Sequence, residues 1–192
     1  RNIDIDGSYR ADRIQGSLSI ADPNCSAILE GSVDAISRTP IAHLAAKVAA
    51  FNPQKLGLSN KWGNATFSMT LNAHTTGIKP ATMHGNINLR DFHLLSSSYD
   101  YSINSVDASV QPNAISVKSD FGNIDLNGKY NIATLHESLA AIVKKKLPTL
   151  PGLDKRLYSS DNSFRLDANI TDTRWLEILL GIPFRSERPI QL

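Results

Sequence analysis

The chain has 192 residues, enough to bury an apolar core in one domain or in a run of smaller repeats. Its 20 Lys plus Arg against 18 Asp plus Glu leave a formal net charge of +2, far from the basic excess of a dedicated nucleic-acid binder, so no nucleic-acid partner is expected. Runs such as Ile178-Leu179-Leu180 fall well short of the ~20 apolar residues that span a bilayer. Cys25 is the only cysteine, which excludes an internal disulfide, and it reads as a small buried or half-buried residue.

The chain opens Arg1-Asn2-Ile3-Asp4-Ile5-Asp6, with a strand-like alternation already under way and no initiator Met or apolar leader. That start is expected of a segment from inside a larger protein. Alternation continues over 14–20, and the turn residues Asp22-Pro23-Asn24 follow. Segment 41–51 sets two rules against each other. Thr39-Pro40 is a helix-start signal and Ile41, Leu44, Val48 and Phe51 recur at helical spacing, yet Ala42, Leu44, Ala46, Val48 and Ala50 also alternate. The residues alone leave both conformations open.

Period two is clearest from Ala65. The odd positions Ala65, Phe67, Met69, Leu71 and Ala73 are apolar, and Thr66, Ser68, Thr70, Asn72 and His74 between them are polar. The same pattern marks 83–89, 101–110, 115–117, 124–132 and 164–170, with turn residues such as Thr76-Gly77 and Gln111-Pro112-Asn113 between runs. Such short spacings favour antiparallel meanders over βαβ crossovers. Common parity predicts that Leu18, Ile20, Phe67, Met69, Leu71, Ile87, Leu89, Ile124 and Leu126 line one dry surface, because a one-residue slip would turn a whole strand's set to water.

A pentapeptide of Gly followed by polar, apolar, polar and apolar residues recurs at Gly16, Gly31, Gly63, Gly85, Gly122 and Gly128. Glycine weakens a strand interior, so its recurrence at the start of strands predicts places where the sheet bends or bulges. Two segments read as helices. Over 133–147, Leu135, Leu139, Ile142, Val143 and Leu147 share a face, Thr134 is a candidate N-cap with Glu137 three residues on, and Pro148 follows. Asp172 can cap a shorter helix over 173–180, stopped by Gly181-Ile182-Pro183. Residues 148–162 read as a connection. The chain thus divides into β repeat segments 1–60 and 61–132, a helix 133–147, a connection 148–161, and a strand with a short helix over 162–192.

No catalytic arrangement is legible. The histidines 43, 74, 84, 93 and 136 show no metal-ligand spacing such as HExxH, and no metal or cofactor is expected. His84 and His93 could approach a carboxylate such as Asp91, but read better as surface histidines. Ser96-Ser97-Ser98 lacks the Gly-x-Ser-x-Gly frame and reads as a turn; no dinucleotide or P-loop fingerprint is present. Lys144, Lys145 and Lys146 end the first helix in positive charge, which suits a helix C-terminus and also suits contact with anionic lipid headgroups.

The stretch Phe51-Asn52-Pro53-Gln54-Lys55-Leu56-Gly57-Leu58-Ser59, the strand series up to Asn127-Gly128-Lys129-Tyr130-Asn131-Ile132 and the helix ending Leu147-Pro148 resemble the periplasmic repeats of TamB-type proteins of the Bacteroidota, relatives of the AsmA-like group. The resemblance covers residues 10–175 through short, degenerate motifs. It implies a mainly β fold, an elongated, curled antiparallel sheet forming a U-shaped groove with an apolar concave face, here with two short helices. It also implies that 41–51 is a strand. The functional expectation is a non-catalytic segment of an inner-membrane-anchored protein that conducts or shields phospholipid acyl chains across the periplasm and supports outer-membrane assembly. Adjacent repeats of the same chain and an outer-membrane barrel assembly protein are the implied partners. The competing expectation is a structural or adhesin-like β-solenoid module that binds proteins by strand-edge pairing.

Overall fold

A computed structural model describes residues 2–35, 39–77, 82–146, 162–181, 185–186 and 188–191. The expected connection 148–161 lies outside the described residues. The strands are β1 (Asn2–Arg10), β2 (Arg13–Asp22), β3 (Cys25–Asp34), β4 (Ile41–Phe51), β5 (Thr66–Thr76), β6 (His84–Leu95), β7 (Asp100–Gln111), β8 (Ala114–Ser119), β9 (Gly122–Lys129), β10 (Ser163–Ile170) and β11 (Ile190–Gln191). Helix α1 (Ile132–Lys146) lies between β9 and β10, and a π-helical turn, Leu176–Leu180, between β10 and β11.

Among the described residues, eleven strands form a single open antiparallel sheet in which each pairs only with its neighbours in sequence. The fold is therefore the curled β-meander with two short helices that the alternation and the resemblance predict. Segment 41–51 is strand β4: its helical propensity loses to backbone hydrogen bonding with β3 on one side and β5 on the other. Thr134 falls inside α1 rather than capping it; its hydroxyl accepts from Asn162 Nδ2 at 3.2 Å. Asp172 does not cap the π-helical turn, which begins at Leu176 without a side-chain cap; its carboxylate instead accepts the Arg174 N–H at 2.9 Å ahead of the turn.

Two bulges keep one face apolar. Val48 pairs with Met69 but Phe51 pairs with Phe67, so β4 carries one extra residue against β5. In β6, Leu89 pairs with Leu71 and Leu94 with Phe67, again one residue extra, and Asp91 sits there at φ 51°. Without that bulge Phe92 and Leu94 would point to the opposite face from Ile87 and Leu89. Strand β7 shares the change of parity, from Tyr101 and Ile103 to Val106 and Ala108. Its N–H groups at the switch are satisfied by the Asp120 carboxylate, which accepts from Asn104 N at 2.5 Å and Ser105 N at 3.2 Å.

The glycines do two different jobs. Gly16 and Gly31 are not at strand starts, as the pentapeptide pattern suggests, but mid-strand, in a cross-strand row with Gly7. Gly122 and Gly128, which bracket β9, have φ of 137° and 133°. A Cβ at Gly122 would run into Asn169 O, and one at Gly128 would stand 2.6 Å from Phe164 Cα. Replacing Gly128 by Ala should therefore lower stability by about 1–3 kcal/mol. Gly7→Ala, whose new Cβ would meet nothing closer than Gln15 O at 3.7 Å, should be tolerated. Denaturation midpoints of the two variants check the contrast.

Candidate functional site

Residues directly opposite in an antiparallel pair project to the same face, so the register maps the apolar surface strand by strand. Leu18 and Ile20 on β2 lie opposite Leu29 and Ala27 on β3. Leu71 and Met69 on β5 face Ala46 and Val48 on β4, and Phe67 faces Phe51. Leu89 and Ile87 on β6 lie between Leu71 and Ala73 on one side and Val106 and Ala108 on the other. Ala108 faces Val117, Val117 faces Ile124, and Leu126 lies between Ile115 and Leu166. The register thus places all nine residues singled out by parity on one face, which runs unbroken from Ile3 and Ile5 on β1 to Ile190 on β11.

Exposure along this face is graded. Leu126 is 3% exposed and Ala27 and Ala46 are buried, whereas Ile87 is 43%, Leu44 41% and Ile5 75% exposed. Burial concentrates at one end of the strands, where Ala65, Phe92, Leu94, Tyr101 and Ile103 form a core with Trp62, Phe67 and Trp175 packed against it. Phe92, Leu94, Tyr101 and Ile103 were not predictable as part of the dry surface, because the bulges reverse parity between them and Leu89 or Val106.

That end is closed by two segments meeting across the apolar face. Trp62 Nε1 donates to Ile178 O and Lys61 Nζ to Leu179 O, both at 2.7 Å. On a flat sheet β5 and β10 would stand five strand spacings apart, about 24 Å. The connection before β5 and the helical turn after β10 bridge that separation together. Lys61 sits where the turn leaves carbonyls without helical partners, so its charge is well placed. The Trp62 ring meets Phe67 edge-on at 5.1 Å, Phe121 packs on Trp175 at 5.1 Å, and Arg174 stands 5.5 Å over Tyr101. Burial, with the Asp172 charge nearby, pushes the Tyr101 hydroxyl up to about 12. Hydrogen bonds from Arg174 hold the Asp172 carboxyl below the usual range. The Trp175 indole N–H is buried and finds no partner among the described residues. On the far side of the connection, buried Asn52 shapes the chain, donating to Asn64 Oδ1 and accepting from Lys55 N.

The opposite face is polar. Its open depression of about 570 Å³ is floored by the Gly7, Gly16 and Gly31 row and flanked by Asp6, Gln15, Glu30, His43, Asn72 and His74. Nearby, hydrogen bonds from Arg90 and then Asn88 hold Asp107 below the usual carboxylate range. His43 and His74, 31 residues apart, are in contact here, with ring centroids 4.3 Å apart. His93 pairs with Asp100 at 2.8 Å rather than with Asp91, which the β6 bulge occupies. Ser96 makes the expected turn, its hydroxyl accepting from Ser98 N and Tyr99 N. Lys144 and Lys145 are exposed at the end of α1, and Lys146 is its last residue. No group of three or more His, Cys, Asp or Glu among the described residues is placed to hold a metal ion, and no helix among them is long and apolar enough to cross a membrane. No family model, curated protein or solved structure matches the chain.

Two outcomes test the closed end. Trp62→Phe deletes a satisfied hydrogen bond and strands the Ile178 carbonyl, so it should cost about 1–3 kcal/mol. Trp175→Phe removes an orphaned donor and should cost less; equilibrium denaturation of both variants decides. Asp172, with its lowered folded value, contributes stability that is present above its ordinary 3.8 and lost as pH falls through the folded value. Asp172→Asn should flatten that acid limb of a stability-versus-pH curve.

Proposed function

We propose that this chain is a non-catalytic segment that shields or conducts phospholipid acyl chains along its apolar face. It would act as the periplasmic part of an envelope-spanning, TamB-like protein anchored in the inner membrane. In this reading, adjacent repeats of the same chain extend the path, and an outer-membrane barrel assembly protein is its far partner. Lys144, Lys145 and Lys146 offer positive charge to lipid headgroups. The carrying observation is the unbroken apolar face on a sheet that never closes, with Leu44 and Ile87 more than two-fifths exposed among it. Burial of apolar surface is worth roughly 25 cal/mol per Å², so such a face favours an apolar cover, and an acyl chain needs no directional partner. A second reading, a module binding proteins by edge pairing, draws on β1, all nine residues of which are exposed and which, among the described residues, pairs only with β2.

The graded exposure makes the test sharp. Leu44→Asp and Ile87→Asp place a carboxylate where water reaches it and should leave the melting temperature within a few degrees while impairing envelope lipid homeostasis. Leu126→Asp buries an unpaired charge and should unfold the sheet. A photocrosslinker at position 44 or 87 in cells should capture phospholipid. Folded Leu44→Asp and Ile87→Asp variants with normal envelope function, and crosslinks to protein alone, would reject the lipid reading in favour of the edge-pairing one.

A further inference from the structure

The polar face carries one arrangement that neither packing nor the lipid reading uses. His43 on β4 and His74 on β5 are directly opposite each other in the ladder. His74 Nδ1 stands 3.1 Å from His43 Nδ1 and 3.2 Å from His43 Nε2, with the rings inclined at 47°. Two imidazole nitrogens bound to one ion at about 2.05 Å, at angles of about 90–110°, stand about 2.9–3.4 Å apart. The near-equal distances to both His43 nitrogens put His74 Nδ1 over the edge of that ring, so a shared ion requires the exposed His43 side chain to rotate and turn one nitrogen toward it. Ser32 lies opposite His43 and Asn86 opposite His74, so the cross-strand row offers an oxygen donor on either side. Thr76 Oγ1, 3.5 Å from His74 Nε2, is placed to orient the ring whose Nδ1 faces His43. The histidines flank the open depression, which leaves room for water at the remaining positions.

We propose that His43 and His74 form a two-imidazole site for a borderline divalent transition ion, copper(II) before zinc, completed by oxygen ligands and water. Imidazole with oxygen in a tetragonal set is the donor combination copper(II) prefers, and it heads the divalent affinity order. The carboxylates lining the same depression, Asp6 and Glu30, add favourable charge for a cation. With only two protein nitrogens the site is open and exchangeable rather than structural.

The test titrates the whole chain with copper(II) alone. Calorimetry should give one ion per chain, and electron paramagnetic resonance should show two imidazole nitrogens. His43→Gln and His74→Gln should each lose one nitrogen from the spectrum and weaken binding by at least about tenfold. The double variant should lose the signal, and His93→Ala, six residues further along the β5–β6 ladder opposite Ser68, should retain it. Circular dichroism confirms that the variants keep the sheet. One-to-one binding with an unchanged spectrum in the double variant, or no binding by the parent chain at millimolar copper, would overturn the site. Either result leaves the lipid test on the opposite face untouched.

Discussion

Strand register is the constraint on which the rest of this molecule depends. Because each strand hydrogen-bonds only to its sequence neighbours, the alternation in one strand has to stay in phase with the next across ten pairings. A slip of one residue in any pairing would invert that strand and turn its apolar set to water. The bulges in β4 and β6 are what keep the phase where the sequence itself changes parity. They sit on either side of β5, the strand with the most regular alternation, and adjust its neighbours to it. The energetic consequence is local: the strained Asp91 backbone is tolerated because it returns Phe92 and Leu94 to the dry side, where Leu94 becomes fully buried.

Much of this was legible beforehand, and the gaps have physical causes. Phe67, Met69 and Leu71 announce their face because nothing interrupts the period between them. For 41–51, the local sequence satisfies both periods, and only the two flanking strands decide. Neither strand is visible from within the segment. Phe92 and Leu94 escaped because a bulge is a one-residue event that resembles loss of pattern. The closed end escaped for a different reason. Trp62 and Ile178 are 116 residues apart, and a side chain donating to a backbone carbonyl leaves no periodic trace. The His43–His74 contact is hidden in the same way, since only the β4–β5 register brings the rings together. Gly7, Gly16 and Gly31 were visible as a motif in part, but their meaning depended on being aligned.

The two ends of the strands differ in kind. At the Trp62 end, aromatic packing and backbone-directed hydrogen bonds fasten distant strands to one another, so cooperativity there does not rest on nearest-neighbour ladders alone. Elsewhere the sheet resembles a one-dimensional array, in which each strand's stability is set by the two beside it. Local opening should accordingly begin at β1, where every residue is exposed and pairing is one-sided, and reach the β5–β7 core last.

The same asymmetry bears on what the apolar face is for. If its purpose were only to build a core, selection for stability would favour covering it, as the Trp62 and Trp175 segments do at one end. Instead, the face continues past that cover with Leu44, Ile87, Ile3 and Ile5 increasingly open to water, while the reverse side of the same strands is mostly polar, Ile28 and Leu95 being apolar exceptions. An edge strand carrying Ile3 and Ile5 is a hazard for non-specific pairing, and Asp4 and Asp6, each following one of them, supply the charge that limits it. A sheet that guards its edge with charge yet leaves its other face apolar and open fits the external apolar cover proposed for it. The absence of placed polar groups among Leu18, Leu71, Leu89 and Ile124 favours a cover that binds by burial alone.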